Sequence, residues 1–306
     1  MTALIEAVRA ATGRLQAAGV RSARSDAEQL AAHVLGVRRG SLAGLSVLAP
    51  AASQIYADLV ARRAARVPLQ HLTGTVGFRY LDVAVGPGVF VPRPETESVV
   101  QWAVDALAVG GPPVPVVVDL GTGSGAIALA LATEVRGARV HAVERDPVAL
   151  TWAGLNVARY ARDGGRAVTL HFGDMGDMGD MGDMGDTGGA PAELAGTVDL
   201  VVSNPPYLTG VELSDCDPEV RDHDPRAALV AGADGLDGVR LVAAAARGLL
   251  RPGGLVVVEH GDHQGASAAA VFTAAGCWDD VMDHRDRAGR DRFVTARRRA
   301  DAGRSS

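Results

Sequence analysis

The spacing of apolar positions divides the chain into two regimes. From residue 1 to about 75 the period is helical throughout. Leu4, Val8, Ala11 and Leu15 fall on one face, Ser25 to Glu28 has the form of a capping box ahead of Leu30, Val34 and Leu35, and a third helix over 53–66 turns Ile55 and Leu59 inward. His33 shares the apolar side of the second helix and is expected in its core. Farther along, short apolar runs alternate with helical stretches: Val114 to Val118, a helix from Ala126 to Thr133, then Val140 to Val143, Val168 to Phe172 and Val198 to Val202. Strands alternating with helices predict an α/β, Rossmann-like domain on a parallel sheet. Between the regimes, Gly74 to Val91 reads as a hairpin-like segment with a turn at Gly86-Pro87-Gly88. The expected organisation is a small N-terminal helical bundle over residues 1–75, a hairpin linker over 76–94 and the α/β domain over 95–306.

The strand-like runs are followed by polar groups that define a chemistry. After Val198 to Val202 comes Asn204-Pro205-Pro206-Tyr207. A planar nitrogen, in an amide or on a base, is a poor nucleophile because its lone pair is delocalised. Two acceptors that each take one N–H can draw that density back: the side-chain oxygen of Asn204 and the carbonyl of Pro205, held by consecutive prolines of locked φ, with Pro206 completing the turn and Tyr207 offering a flat face to the substrate plane. Alone, the tetrapeptide also reads as a Pro-Pro turn closing a strand. Its context favours methyl transfer. Asp119-Leu120 leads into Gly121-Thr122-Gly123-Ser124-Gly125 between a strand and a helix, and the glycines let the backbone pass close under a ligand while N–H groups at the helix start face it. The GxGxG spacing fits an S-adenosylmethionine loop better than a dinucleotide loop. Glu144 ends the second strand about 20 residues on, where an acid can take ribose hydroxyls, although a surface Glu at a strand end is the plainer alternative. Asp174, after the third strand, is expected to accept from the adenine amino group, with Met175 covering the ring, and Asn204 is expected to touch the cofactor as well as the substrate. Residues 173–186 repeat Gly-Asp-Met, so Asp177, Asp180, Asp183 or Asp186 are alternatives, and Asp174 is chosen as nearest the strand. The repeat itself reads as a tandem expansion of a surface loop, with metal binding by its Asp ladder the less favoured reading. Because ligands of an open parallel sheet lie at the carboxyl ends of the strands, these groups converge on one crevice.

Composition removes competing chemistries. The chain has no lysine, so all 30 basic residues are arginine, which argues against a P-loop ATPase, a protein kinase or a pyridoxal enzyme. Cys216 and Cys277 alone suggest neither a disulfide framework nor a zinc cluster and fit a reduced cytoplasm. Glu6 and Arg9 interrupt the first apolar stretch, which spoils a signal peptide, and no uncharged run reaches the length of a membrane span. His260 and His263 with Glu259 and Asp262 come nearest to a metal site, and no metal is expected there. Arg297, Arg298, Arg299 and Arg304 read as a solvated basic tail. A net charge of −6 on 306 residues disfavours a duplex footprint, so no stable nucleic-acid partner is expected.

Over nearly its whole length the chain resembles the protein-(glutamine-N5) methyltransferases of peptide chain release factors, the PrmC or HemK family. The resemblance rests on Pro68 to Gly74 (PLQHLTG), Phe90 to Glu97 (FVPRPETE), the glycine loop, Asn204 to Tyr207, Asp224 to Leu229 (DPRAAL), Gly232 to Asp237 (GADGLD), Arg251 to Gly254 (RPGG), Glu259-His260-Gly261 with Gln264-Gly265, and Ala288 to Arg292 (AGRDR). It departs at Asp224, where the family usually carries Glu, at Glu144, where Asp is frequent, and in the Gly-Asp-Met repeat. The resemblance implies the acceptor: the glutamine of a Gly-Gly-Gln loop in class I release factors. Arg93 and Glu97 lie in the family's linker motif and are expected to organise the cofactor entrance, a simple salt bridge of linker to core being the alternative; the helical bundle carries no catalytic constellation and is expected to grip the protein substrate, a merely stabilising cap being the alternative. The competing functions are an adenine-N6 DNA methyltransferase, which shares the Asn-Pro-Pro-aromatic motif, a glutamine methyltransferase of a ribosomal protein, and a non-catalytic S-adenosylmethionine-binding partner of translation.

Overall fold

The computed structural model describes residues 2–165, 167–176 and 192–300. They form two compact units. The first comprises residues up to Thr75 with 85–87 and 216–223. Its elements are β1 (Thr2–Ala3), α1 (Leu4–Ala17), α2 (Ala23–Leu35), β2 (Val47–Leu48), α3 (Pro50–Ala64) and α4 (Leu69–Thr73). Leu4, Ala11, Leu15, Leu30, Leu48, Tyr56, Leu59 and Val60 close one core. The Tyr56 hydroxyl donates to the Ala27 carbonyl at 3.0 Å, which satisfies the one polar atom that this ring takes inside. Arg63 is buried but paired, to Asp26 at 2.8 Å and to Glu219 at 2.7 Å, and Glu219 also holds Arg66 at 2.5 Å. Glu219 sits on the short helix Pro218–Arg221, a segment that belongs to this unit although it follows the Asn204 motif in the chain. Held by two guanidinium groups, its carboxyl lies at about 2, well below the ordinary value, in spite of partial burial.

The second unit is built on a seven-stranded sheet. After the paired β3 (Thr75–Phe78) and β4 (Leu81–Ala84) come α5 (Glu97–Gly110), β5 (Val116–Leu120), α6 (Ala126–Glu134), β6 (Arg139–Glu144), α7 (Pro147–Arg162), β7 (Val168–Phe172), β8 (Val198–Ser203), β9 (Leu250–Glu259), β10 (Trp278–Arg285) and β11 (Asp291–Arg298). The order is β10-β11-β9-β8-β5-β6-β7, with β9, β8, β5, β6 and β7 mutually parallel and β11 antiparallel to both of its neighbours. Every residue of β5 and β8 is buried, as strands covered on both faces require. Covering helices follow the same logic: Ala126 to Ala132 of α6 are all buried, and the helix Asp237–Leu249 turns Val239, Val242, Ala246 and Leu249 to the sheet. Register then levels the strand ends. Leu120 faces Val143 and Ser203, Glu144 faces Phe172, and Ser203 faces Val258, so residues 121, 144, 173, 204 and 259 emerge side by side.

Four sequence expectations change. Ile55 is 54% exposed, because the buried stripe of α3 runs through Tyr56, Leu59, Val60 and Arg63 and leaves Ile55 beside it. Ser25 to Glu28 is no capping box: α2 starts two residues earlier, at Ala23, so Glu28 is free to pair with Arg24 and Arg39. His33 is exposed, one helical step from the buried Ala31 and Ala32. Arg297 and Arg298 form the end of β11 rather than a tail, and with Arg299 they engage Asp280, the Leu250 carbonyl and Asp279 respectively; Arg304 lies outside the described residues.

Candidate active site

The glycine loop leaves β5 with Gly121, Gly123 and Gly125 all at positive φ, of 70°, 58° and 84°, which a side chain would strain at each. Gly125 also meets α7, where an added Cβ would lie 3.6 Å from Ala153. Contrary to the expectation that its N–H groups point at a ligand, the loop spends four of them internally. Gly121 and Thr122 donate to the Val143 carbonyl, Gly125 to the Thr122 carbonyl, and Gly123 to Glu144 Oε2 at 2.8 Å. What the loop offers a ligand is its close backbone surface. Asn156, buried on α7, fixes it from below: its amide takes the Ala84 N–H and donates to the Ala84 and Ser124 carbonyls, all within 2.9 Å.

Glu144 is buried at the end of β6 and bridges several N–H groups, accepting from Gly123 through one oxygen and from Arg145 and Asp146 through the other. One lone pair of Oε2 is left for a ribose hydroxyl. Asp174 follows β7; its Oδ1 takes the Gly176 N–H and its Oδ2 the Arg145 guanidinium, both near 2.9 Å. Burial acts to raise its carboxyl, but those two donors outweigh it and hold it below the usual range. Met175 lies over the loop, its Cε 3.1 Å from where a Cβ on Gly121 would stand. Asp177, Asp180, Asp183 and Asp186 lie outside the described residues. Asp119, fully buried beneath the loop, accepts from Thr122 at 2.6 Å and from the Ala128 N–H at 3.1 Å through Oδ2, while Oδ1 has no partner. Burial pushes it up to about 7 against those two hydrogen bonds, and the Glu144 charge adds to the rise.

Beside this, Asn204 to Tyr207 leave β8. Asn204 is half-buried, and its Nδ2 donates to Thr96 Oγ1 at 3.1 Å. The turn is clamped from three sides. Tyr207 and Leu208 N–H groups donate to the Leu229 carbonyl, Gln264 donates to the Tyr207 carbonyl at 3.0 Å, and Gly238 passes so close that a Cβ there would sit 2.5 Å from the Pro206 carbonyl oxygen. Burial drives the Tyr207 phenol well above its ordinary value and the neighbouring Glu259 charge reinforces this, so the ring is a neutral face and not a base. Arg93 pairs with Asp224 at 2.5 Å and lies over the Phe90 ring, and Glu97 accepts the Arg79 N–H. Of the histidines weighed for a metal, His260 is buried against Asp283 and His263 faces Glu212, and no group of three metal-ligating side chains occurs among the described residues. Pattern and spacing do not single out Thr96, Asn156, Glu259 and Gln264 as residues of a methyl-transfer site, although three of them lie inside the motifs PETE, EHG and QG.

The residues present suit S-adenosylmethionine: a buried carboxylate, Glu144, at the end of β6, a thioether, Met175, against the side-chain-free Gly121, and an orphaned carboxyl oxygen of Asp119 beneath the loop. Comparison with known proteins agrees. Residues 6–74 match the family model of the PrmC N-terminal domain. The release factor glutamine methyltransferase of Streptomyces coelicolor is 50% identical over 97% of this chain and 99% of its own, and that of Mycolicibacterium smegmatis is 48% identical over the same shares. Among solved structures the hMettl16 catalytic domain, in complex with the MAT2A 3'UTR hairpin 6, superposes with a TM-score of 0.52 at 16% identity over 80% of this chain and 83% of that one, a likeness of fold alone. With half of its residues identical across almost the entire length, the chain belongs to the release factor glutamine methyltransferase family.

Proposed function

We propose that this chain methylates the side-chain nitrogen of the glutamine in the Gly-Gly-Gln loop of class I release factors. The observation that carries the reading is the register Leu120 to Ser203, which brings Asn204 and Pro205 level with the glycine loop. S-adenosylmethionine, the methyl donor of the family, supplies an electrophilic methyl carbon when bound. Gly121 to Gly125, Glu144, Asp174 and Met175 would hold it, with Glu144 on the ribose and Asp174 on the adenine. Asn204 Oδ1 and the Pro205 carbonyl each accept one N–H of the substrate amide, which orients its plane and returns lone-pair density to nitrogen. Pro206 keeps those acceptors in place, and the Tyr207 ring packs on the amide plane. The helical unit, residues 1–75 in the domain reading, binds the body of the release factor, and 76–94 links it to the methyltransferase domain of 95–306.

Labelled methyl transfer to purified release factor tests the reading, with the loop glutamine replaced as control. Asn204→Ala should lower turnover at least a hundredfold while cofactor affinity stays within about threefold, and Tyr207→Phe should be far milder than Tyr207→Ala. Methylation of adenine in DNA with release factor ignored would overturn it.

A further inference from the structure

The proposed mechanism needs the Asn204 oxygen and not its NH2 to face the substrate, yet the two ends of a carboxamide have nearly the same shape. Behind Asn204 stands Thr96, 3% exposed, at the end of the turn Pro94–Thr96. Its hydroxyl has two neighbours: it receives Asn204 Nδ2–H at 3.1 Å, and as a donor it favours the ionised form of the carboxyl of Glu259, the last residue of β9, which is 1% exposed. The register Ser203 to Val258 is what sets Asn204 and Glu259 on neighbouring strand ends. On the basis of that mechanism, we propose that Thr96 and Glu259 are positioning residues that orient the Asn204 amide, with ionised Glu259 forcing its oxygen toward the substrate.

Proton counting fixes the orientation. An ionised carboxylate only accepts, so the single hydroxyl hydrogen of Thr96 must go to Glu259. Thr96 Oγ1 can then only accept from Asn204, and the only donor there is Nδ2. Oδ1 is thereby turned to the open side. If Glu259 takes up a proton, it can donate to Thr96, the hydroxyl hydrogen is released toward Asn204, and the amide is satisfied in the reversed orientation. Reversed, Asn204 presents N–H to a substrate that also presents N–H, and the contact is lost.

Several charged groups act on Glu259: Arg292 on β11 favours its ionised form, while Glu95 in the preceding turn and Asp286 after β10 oppose it, and the Tyr207 phenol lies close by. Burial is the largest influence and brings its carboxyl up to about 7, against the Thr96 hydrogen bond and Arg292. The orientation therefore changes hands near neutral pH. Asp119 titrates in the same range, but it lies under the cofactor loop, so saturating cofactor keeps its effect out of the rate.

The test is the single-turnover methylation rate of intact release factor at saturating S-adenosylmethionine, from pH 5.5 to 9, for the wild type and for Thr96→Ser, Thr96→Val, Glu259→Gln and Asn204→Ala. The wild-type rate should fall about tenfold per unit below about pH 7. Thr96→Ser keeps the hydroxyl and should stay near the wild type, whereas Thr96→Val should lose about 10- to 100-fold in rate at pH 8 with KM for release factor little changed. Glu259→Gln retains an oxygen acceptor but gains no proton there, so its profile should be flat through the acid range. Cofactor binding confirms that each variant is folded. A wild-type rate in Thr96→Val, or an acid limb that persists in Glu259→Gln, would overturn the proposal. If Asn204→Ala is inactive while Thr96→Val is normal, only the relay is wrong; if Asn204→Ala is itself fully active, the reading of the motif fails first.

Discussion

Gly238 is the most incisive place to perturb the site without touching it. It lies in the first turn of the helix Asp237–Leu249, where alanine should be welcome: the intrinsic helix preference favours it over glycine by about 1 kcal/mol. The added Cβ, however, would stand 2.5 Å from the Pro206 carbonyl oxygen and 2.9 Å from Pro205 Cβ. Restoring ordinary contact requires a displacement of about 0.9 Å, and neither neighbour is the far end of a flexible chain. Overpacking of this size costs about 1 to 3 kcal/mol, so the net loss of stability should be about 0 to 2 kcal/mol, small enough for Gly238→Ala to fold. The catalytic effect should be far larger, because the groups pushed aside are those that align the amide, and a misplacement approaching 1 Å costs up to about a hundredfold in rate. Gly13 provides the control. It is in α1 with nothing within 4 Å of its would-be Cβ, so Gly13→Ala should gain about 1 kcal/mol and leave the rate alone. Urea unfolding and single-turnover methyl transfer on the same preparations compare the two. A Gly238→Ala rate within twofold of the wild type would refute the coupling between this helix and the Asn204 turn.

Asn156→Leu removes one acceptor and two donors that join Ala84 and Ser124, and should destabilise the second unit by about 2 to 4 kcal/mol in denaturant; a loss under 1 kcal/mol would mean that water replaces the network. Glu144→Gln sets an NH2 against at least one of three backbone N–H donors and should weaken S-adenosylmethionine binding by about 1 to 3 kcal/mol in calorimetry, an unchanged affinity counting against the ribose role. Asp119 has its carboxyl raised in the fold, so the stability it confers is fully present below about 4, its unfolded value, and is lost as pH rises through about 7. The stability of Asp119→Asn relative to the wild type should therefore climb by about 4 kcal/mol between pH 4 and 8, and a pH-independent difference would show that Asp119 is not held neutral by burial.

Much of the fold is legible in the chain because the relevant forces are local. β5 and β8 are mostly apolar runs, interrupted by Asp119 in one and by Asp199 in the other, that lie between glycine or proline residues, so the parallel sheet and the positions of Glu144 and Asn204 at strand ends follow from pattern alone. Pattern misplaces Ile55 and His33 because two neighbouring positions on a helix compete for one face, and packing partners elsewhere decide between them. Ser25 shows the same limit: a capping pattern is compatible with a helix start but does not forbid an earlier one. Thr96, Glu259 and Gln264 are out of reach for a different reason. Each acts through a hydrogen bond to a residue 57 or more positions away or through a neighbour that does, and no spacing rule encodes such pairings.

The two ends of the central strands treat buried acids differently, and the difference locates the cost of function. At the amino end of β8, Asp199 is buried but satisfied, accepting the Val116 N–H at 2.8 Å and Arg251 at 2.6 Å. At the carboxyl ends of the flanking β5 and β9, Asp119 and Glu259 are buried more completely, and each keeps one oxygen, Oδ1 and Oε2, without any partner. An unpaired buried oxygen costs the desolvation of that atom, about 1 to 3 kcal/mol, and an amide or an apolar side chain would relieve it. Stability alone therefore cannot account for acids at both positions. Their placement does: one lies beneath the loop that would carry the cofactor and the other behind the asparagine that would carry the substrate, on the two strands that flank Asn204. The second unit gives up stability at the carboxyl ends of β5 and β9, on either side of Asn204, and compensates the charge of Asp199 at the amino end of β8.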